Sequence, residues 1–363
     1  MEAFVYEALS QRVVFGTGTL RQVDREINRL GGGRALVLST PGHAAEAEAL
    51  AQELGTAAAG VFAGAVMHTP VSVTEEAVRA LTETGADVVL SLGGGSTIGL
   101  GKAMALRTGV KQIAIPTSYA GSEATPILGE TAGGRKTTQR DLGVLPAVIL
   151  YDVELTLGLP PAFSVTSGLN AIAHAVEALY AENRNPLITQ LALSGIEAMA
   201  TALPRIVDDP QAHDARSDAL YGAWACGTCL GSVGMALHHK ICHVLGGSFG
   251  LPHAQTHSVI LPHAIAYNEA TAARLLAPVA ELSGAPSAAI GLHRLAEQLG
   301  APMSLREIGM PEAGLERAAE EIAGNPYWNP RPVAREGIRH LLQDAFDGHP
   351  PRVVDFGGEA PEH

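Results

Sequence analysis

Cationic charge is scarce in this chain. Its 363 residues carry 24 Lys and Arg against 37 Asp and Glu, a net charge of −13. A nucleic-acid-binding face needs a local excess of cations, so that role is not expected. A small anionic substrate stays open, because a few local cations can hold one. Aromatic residues make up only 4%, which leaves few rings for base stacking. Charged residues reach 17%, too few for long disordered or coiled-coil segments. Cys226, Cys229 and Cys242 are the only cysteines, an odd number that fits a reducing compartment rather than a disulfide framework. The N-terminus has no basic stretch followed by an apolar one, so no signal peptide is expected and the cytoplasm is the default. Gly, Ser or charge interrupts the longest apolar runs short of about 18 residues, so no membrane span is expected.

Common nucleotide signatures are missing too. Gly93-Gly94-Gly95-Ser96 would need Gly at 98 to read as a dinucleotide fingerprint, and Ile98 stands there. A P-loop ending at Gly101-Lys102 would need Gly at 96 and Ser or Thr at 103, where Ser96 and Ala103 stand.

The chain has two textures. Short apolar runs and helical patterns alternate through the first ~150 residues, as in a parallel sheet covered on both faces. Strands are expected at 34–39, 60–63, 87–92 and 112–115, and helices at 43–54, 74–84 and 96–107. Beyond Pro160-Pro161 the sequence is rich in Ala and Leu at helical spacing, with helices expected at 164–181, 186–203 and 213–230. This gives an α/β nucleotide-binding domain at 1–158, an all-helical domain at 159–350 and a loose tail at 351–363.

Gly93, Gly94, Gly95, Ser96 and Thr97 lie between a strand and a helix. Glycines let backbone amides approach an anion, and a helix N-terminus adds partial positive charge, so a pyrophosphate fits. Ser39-Thr40-Pro41 follows the first strand, where a dinucleotide's ribose would rest. No acid stands there to repel a 2′-phosphate, so both NADH and NADPH should be accepted.

Histidine is abundant. Of 14, six lie between 238 and 263: His238, His239, His243, His253, His257 and His263. His239 and His243 share one helix face, as do Asn170 and His174. Either a metal held by His174, His239 and His253, or a metal-free cationic pocket for an anion, would explain this density. Asn170 is a poor fourth ligand because it carries no charge. Two motifs read as decoys. Gly246 to Gly250 matches G-x-S-x-G, but the preceding residues read as helix rather than strand. Cys226-Gly-Thr-Cys229 sits within an apolar helical run and reads as core.

Over residues 10 to 345 the sequence resembles the group III, iron-containing-type alcohol dehydrogenases. Four stretches in order resemble a reductase branch of that family. They are Pro116 to Glu123 (PTSYAGSE), Ser167 to His174 (SGLNAIAH), Pro252 to His257 (PHAQTH) and Asn329 to Val333 (NPRPV). The resemblance implies a dehydroquinate synthase-like two-domain architecture with the active site in the interdomain cleft. It implies a soluble homodimer that uses NADH or NADPH to reduce an unsaturated oxo-dicarboxylate. The family's metal ligands correspond to Asn170, His174, His239 and His253. Asn170 replaces the metal-binding Asp, so metal is not expected to be required. His243 corresponds to a histidine beside the nicotinamide and is the expected proton donor or enolate stabiliser. His174, His239 and His253 would form the anion pocket, with Asn170 as hydrogen-bond partner. Thr117, Ser118 and Tyr119 would line the nicotinamide, while Lys240 and Arg331 are candidate carboxylate partners. The competing readings are a metal-dependent alcohol or polyol dehydrogenase, a dehydroquinate-synthase-like lyase, and a hydrolase using Ser248.

Overall fold

The computed structural model describes residues 3–133, 135–325 and 327–352. All but the first two residues of the expected tail lie outside them. Arg352 within that tail pairs with Asp344, at 2.9 Å from Nε to Oδ2. The chain divides into two compact units, neither of them one continuous stretch.

The first unit comprises residues 8–160 and 210–231. Its strands are β1 Arg12–Gly16, β2 Ala35–Leu38, β3 Ala58–Phe62, β4 Val88–Gly93, β5 Lys111–Pro116, the hairpin β6 Ile127–Ala132 and β7 Arg135–Arg140, and β8 Val148–Asp152. Its helices are α1 Val23–Arg29, α2 Ala44–Leu54, α3 Val71–Thr84 and α4 Gly95–Thr108. The main sheet is parallel, in the order β1-β8-β5-β4-β2-β3. Val37, Leu90, Leu92, Ile113 and Ile115 pack on one face with residues of α1 and α2. Leu36, Leu38 and Val89 pack on the other with residues of α3 and α4. Burial on both faces explains why these strands read as unbroken apolar runs. From β2 the chain steps outward to β3, then returns to β4 on the other side of β2. Strand order therefore reverses between β2 and β4, and ligands bind such sheets at the carboxyl ends of the strands where it does.

The second unit holds residues 161–209 and 232–352, with residues 3–7. Its helices are α5 Pro161–Leu179, α6 Pro186–Asp208, α8 Leu237–Phe249, α9 His253–Ser283, α10 Ala288–Gln298, α11 Leu315–Gly324 and α12 Arg335–Asp347. α7, His213–Ser232, belongs to the sheet unit through residue 231. One uninterrupted helical domain from 159 was expected, and α7 corrects that. The reason is close packing. A Cβ on Gly227 would lie 2.3 Å from the Gly121 carbonyl oxygen, so glycine alone lets helix and loop meet. Arg216 on α7, fully buried, donates to the Tyr119 hydroxyl at 3.1 Å and to the Leu159 carbonyl at 2.9 Å.

α5 is buried without a break from Ser164 to Leu179, which makes it the central helix of its unit. A Cβ on Gly168 would meet the Leu203 methyls at 2.8 Å, so the glycine sets how closely α5 and α6 approach. The expectation on apolar length needs correcting. Among the described residues, α6 and the stretch His253–Gln298 are long and apolar enough to cross a membrane by length and composition. The second stretch also buries Ser258, His263, Asn268 and Glu269 inside the helical unit.

Candidate active site

In the sheet unit the glycines sit at the reversal point. Gly93 ends β4 with φ +148°, and a Cβ there would lie 2.6 Å from Thr97 Oγ1. A side chain is thus barred twice, by backbone conformation and by space. Gly94 is the N-cap of α4, and a Cβ on it would reach Ser118 Oγ at 2.9 Å. The Thr117 amide donates to the Gly93 carbonyl at 3.2 Å, which ties the loop after β5 to this turn. Ser39 Oγ, Thr97 Oγ1 and Ser122 Oγ are buried with no hydrogen-bond partner in the protein. Buried hydroxyls left so are costly. Thr97 Oγ1 and the amides opening α4 are the groups there that can hold a phosphate. Thr40 Oγ1 lies 3.0 Å from His43 Nδ1 just beyond β2. Tyr119 is fully buried and its hydroxyl is taken by Arg216. With that hydroxyl engaged, Tyr119 can brace the loop that carries Thr117 and Ser118.

In the helical unit the structure brings together the histidines expected from sequence. Asn170, His174 and Glu177 stand at i, i+4 and i+7 on α5, hence on one face. His174 Nδ1 lies 2.8 Å from His239 Nε2, and His239 Nδ1 lies 2.6 Å from Glu177 Oε2. The Asn170 amide nitrogen lies 3.4 Å from His174 Nε2. Burial alone would raise the Glu177 carboxyl. The hydrogen bond and charge of His239, with His238 and the Ala236 amide, instead hold it down to about 2. An ionised carboxylate only accepts, so His239 Nδ1 carries a proton. With neutral rings the chain then runs one way: Asn170 to His174, His174 to His239, His239 to Glu177. One further proton makes the pair cationic, with Glu177 as its counter-charge.

Glu177 also holds α8 in place. It accepts from the Ala236 amide at 3.1 Å and the His238 amide at 2.8 Å, so it satisfies donors that open the helix. The sequence reading missed this residue. Its signal was the spacing, three residues beyond His174 on an otherwise apolar helix.

Exposure is graded across the cluster. His238 and His257 are fully buried, His174 and His239 nearly so, His253 is half-buried and His243 is exposed. The His239 and His243 rings are 6.3 Å apart, and those of His253 and His257 are 4.4 Å apart. The two carboxylate candidates fare differently. Arg331 is buried, donates to the Tyr267 carbonyl at 2.9 Å and stacks on the Tyr267 ring. Lys240 lies over the Tyr327 ring at 5.4 Å. The Tyr327 hydroxyl is buried without a partner, a polar group the sequence reading did not find.

The family's metal positions do not fit a cation in this arrangement. Asn170 supplies no charge, and among the described residues His174, His239 and His253 do not bring three ligand atoms within 4.8 Å of one another. Among the described residues, the only His, Cys or acid trio with ligand atoms within 4.8 Å of one another is His238, Cys242 and His257, which is a different set. Both decoys also resolve. Ser248 lies in the last turn of α8, not on a strand-to-helix elbow, and donates to Glu321 at 2.6 Å. Burial pushes the Cys226 and Cys229 thiols up, so neither is a ready thiolate.

Comparison with known proteins bears on both units. Residues 10–153 match the family model "Iron-containing alcohol dehydrogenase", and residues 164–346 match "Fe-containing alcohol dehydrogenase family, C-terminal". The maleylacetate reductase of Rhizobium sp. strain MTP-10005 is 58% identical, over 97% of this chain and 100% of that protein. The crystal structure of maleylacetate reductase from Agrobacterium tumefaciens is similar at TM-score 0.94 and 58% identity, covering 97% of this chain and 100% of that one. A putative alcohol dehydrogenase from Ralstonia eutropha JMP134 superposes at TM-score 0.96 with 55% identity, over 97% and 100% of the two chains.

Proposed function

This chain belongs to the iron-containing alcohol dehydrogenase family, and from that premise we propose that it is a maleylacetate reductase. It would reduce the C=C bond of maleylacetate to give 3-oxoadipate, late in the breakdown of aromatic compounds. The observation that carries this reading is the Asn170–His174–His239–Glu177 chain: a neutral amide and two imidazoles backed by a buried carboxylate. Full-length likeness to maleylacetate reductases supports it.

The substrate's alkene is conjugated to a ketone and flanked by carboxylates. A reduced nicotinamide, when bound, supplies the hydride for the alkene carbon β to the ketone. Negative charge then develops on the ketone oxygen, and the neighbouring carbon takes a proton. Such an acceptor needs cationic hydrogen-bond donors more than a Lewis acid. Protonated imidazoles offer both charge and a proton near neutral pH. His174 and His239 share that charge with Glu177 behind them. His253 completes the anion pocket, and exposed His243 delivers the proton. Gly93 to Thr97 hold the pyrophosphate, and Ser39 and Thr40 face the ribose. Thr117 and Ser118 line the nicotinamide, with Tyr119 bracing them. Lys240 is the better placed of the two carboxylate partners, since Arg331 is engaged with Tyr267. A metal is not required. We also propose a cytoplasmic homodimer that binds neither nucleic acid nor membrane.

The test is NADH oxidation with maleylacetate after exhaustive chelation. Full activity is expected. Activity lost on chelation and restored by Fe²⁺ or Zn²⁺ would favour a metal-dependent alcohol or polyol dehydrogenase chemistry instead.

A further inference from the structure

We propose that His238, Cys242 and His257 form a buried three-donor binding site for one soft divalent cation of the Zn²⁺ type, separate from the family's metal positions. His238 and Cys242 are i,i+4 on α8, and His257 lies in the first turns of α9. His238 Nε2 lies 2.9 Å from His257 Nδ1 and 3.7 Å from Cys242 Sγ. All three ligand atoms fall within 4.8 Å of one another. Tetrahedral zinc, at about 2.0–2.1 Å from nitrogen and 2.3 Å from sulfur, sets ligands roughly 3.3–3.6 Å apart. The two measured separations bracket that range, so small ring rotations admit the ion.

Donor chemistry agrees. The three side chains are fully buried, and His238 Nε2 and His257 Nδ1 face each other as two imidazole donors beside the Cys242 sulfur. Imidazole and thiolate together select borderline-soft ions over Mg²⁺ or Ca²⁺. Binding forms the metal–sulfur bond and releases the thiol proton to solvent. Zn²⁺ with one thiolate leaves a single positive charge. The His238–His257 hydrogen bond is given up for two coordinate bonds.

The experiment loads chelator-treated, folded protein with Co²⁺ as the spectroscopic stand-in, then removes the excess by dialysis. One cobalt per chain is expected, with a thiolate-to-cobalt charge-transfer band that Zn²⁺ abolishes. Cys242→Ser should lose the band and weaken retention by at least the roughly 10- to 100-fold that loss of an outer partner costs. His257→Asn is the second variant, should Cys242→Ser fail to fold by circular dichroism, and it should do the same. No retained cobalt, cobalt without a thiolate band, or a band that survives both substitutions would each overturn the proposal. The last would assign the thiolate to Cys226 or Cys229. The result is independent of whether maleylacetate is turned over.

Discussion

Glu177 is the residue on which the pocket's charge turns. Glu177→Gln keeps an oxygen for the Ala236 and His238 amides but removes the anion behind His239. Breaking a buried ion pair costs about 3–5 kcal/mol, so a clear fall in the denaturant midpoint should accompany a fall in kcat. Unchanged kcat would detach Glu177 from catalysis. His243→Ala should lower kcat by about 10²–10⁴-fold, the usual worth of general acid–base help. Wild-type turnover would remove His243 as the proton source. Much of this was legible in the sequence. Asn170 with His174, and His239 with His243, stood out because helical spacing puts each pair on one face, and His253 stood out through the density of histidines after 238. Glu177 and His257 did not, because their roles depend on which helices pack together, and one chain's periodicity does not say that.

At the scale of elements, the β4–α4 turn carries the sharpest steric demand. Gly93→Ala puts a methyl against Thr97 Oγ1 at a backbone angle that L-residues rarely adopt. KM for NADH should rise well above that for maleylacetate in the same protein. An equal rise in both would point to general unfolding. Thr40→Asp should penalise NADPH far more than NADH, because a carboxylate repels a 2′-phosphate. Equal losses would move residue 40 away from the ribose. The strands β2, β4 and β5 were readable because both-face burial leaves runs of Val, Leu and Ile, while half-buried β3 was read from its place between two helical patterns. β1, β8 and the β6–β7 hairpin were not singled out. β1 is only half-buried, and the hairpin's second strand, RKTTQR, has no apolar alternation.

For the whole molecule, pH acts through buried histidines. Burial holds His238 down to about 3 and His263 to about 4, against 6.5 for an exposed ring. The unfolded chain therefore takes up protons below pH 6.5 that the folded chain refuses. Stability is full above pH 6.5 and falls as pH drops from there toward 4 and 3. Each group steepens the slope by roughly 1.4 kcal/mol per pH unit in that window. Glu177 acts lower, between 4.5 and about 2. Denaturant midpoints measured from pH 8 to 5 should fall, and less steeply in His263→Asn. An unchanged slope would mean that His263 is not neutral inside.

The membership of α7 has a consequence for how the chain is made. Residues 8–160 contain every strand among the described residues, yet the unit is finished only when 210–231 arrive. A ribosome adds about 5–20 residues per second, so a nearly complete sheet waits several seconds for its last helix. During that wait the close seat at Gly121 is vacant, and the Tyr119 hydroxyl lacks the guanidinium that will hold it. Synthesis order thus makes α7 the closing clasp of a structure whose other parts were translated long before.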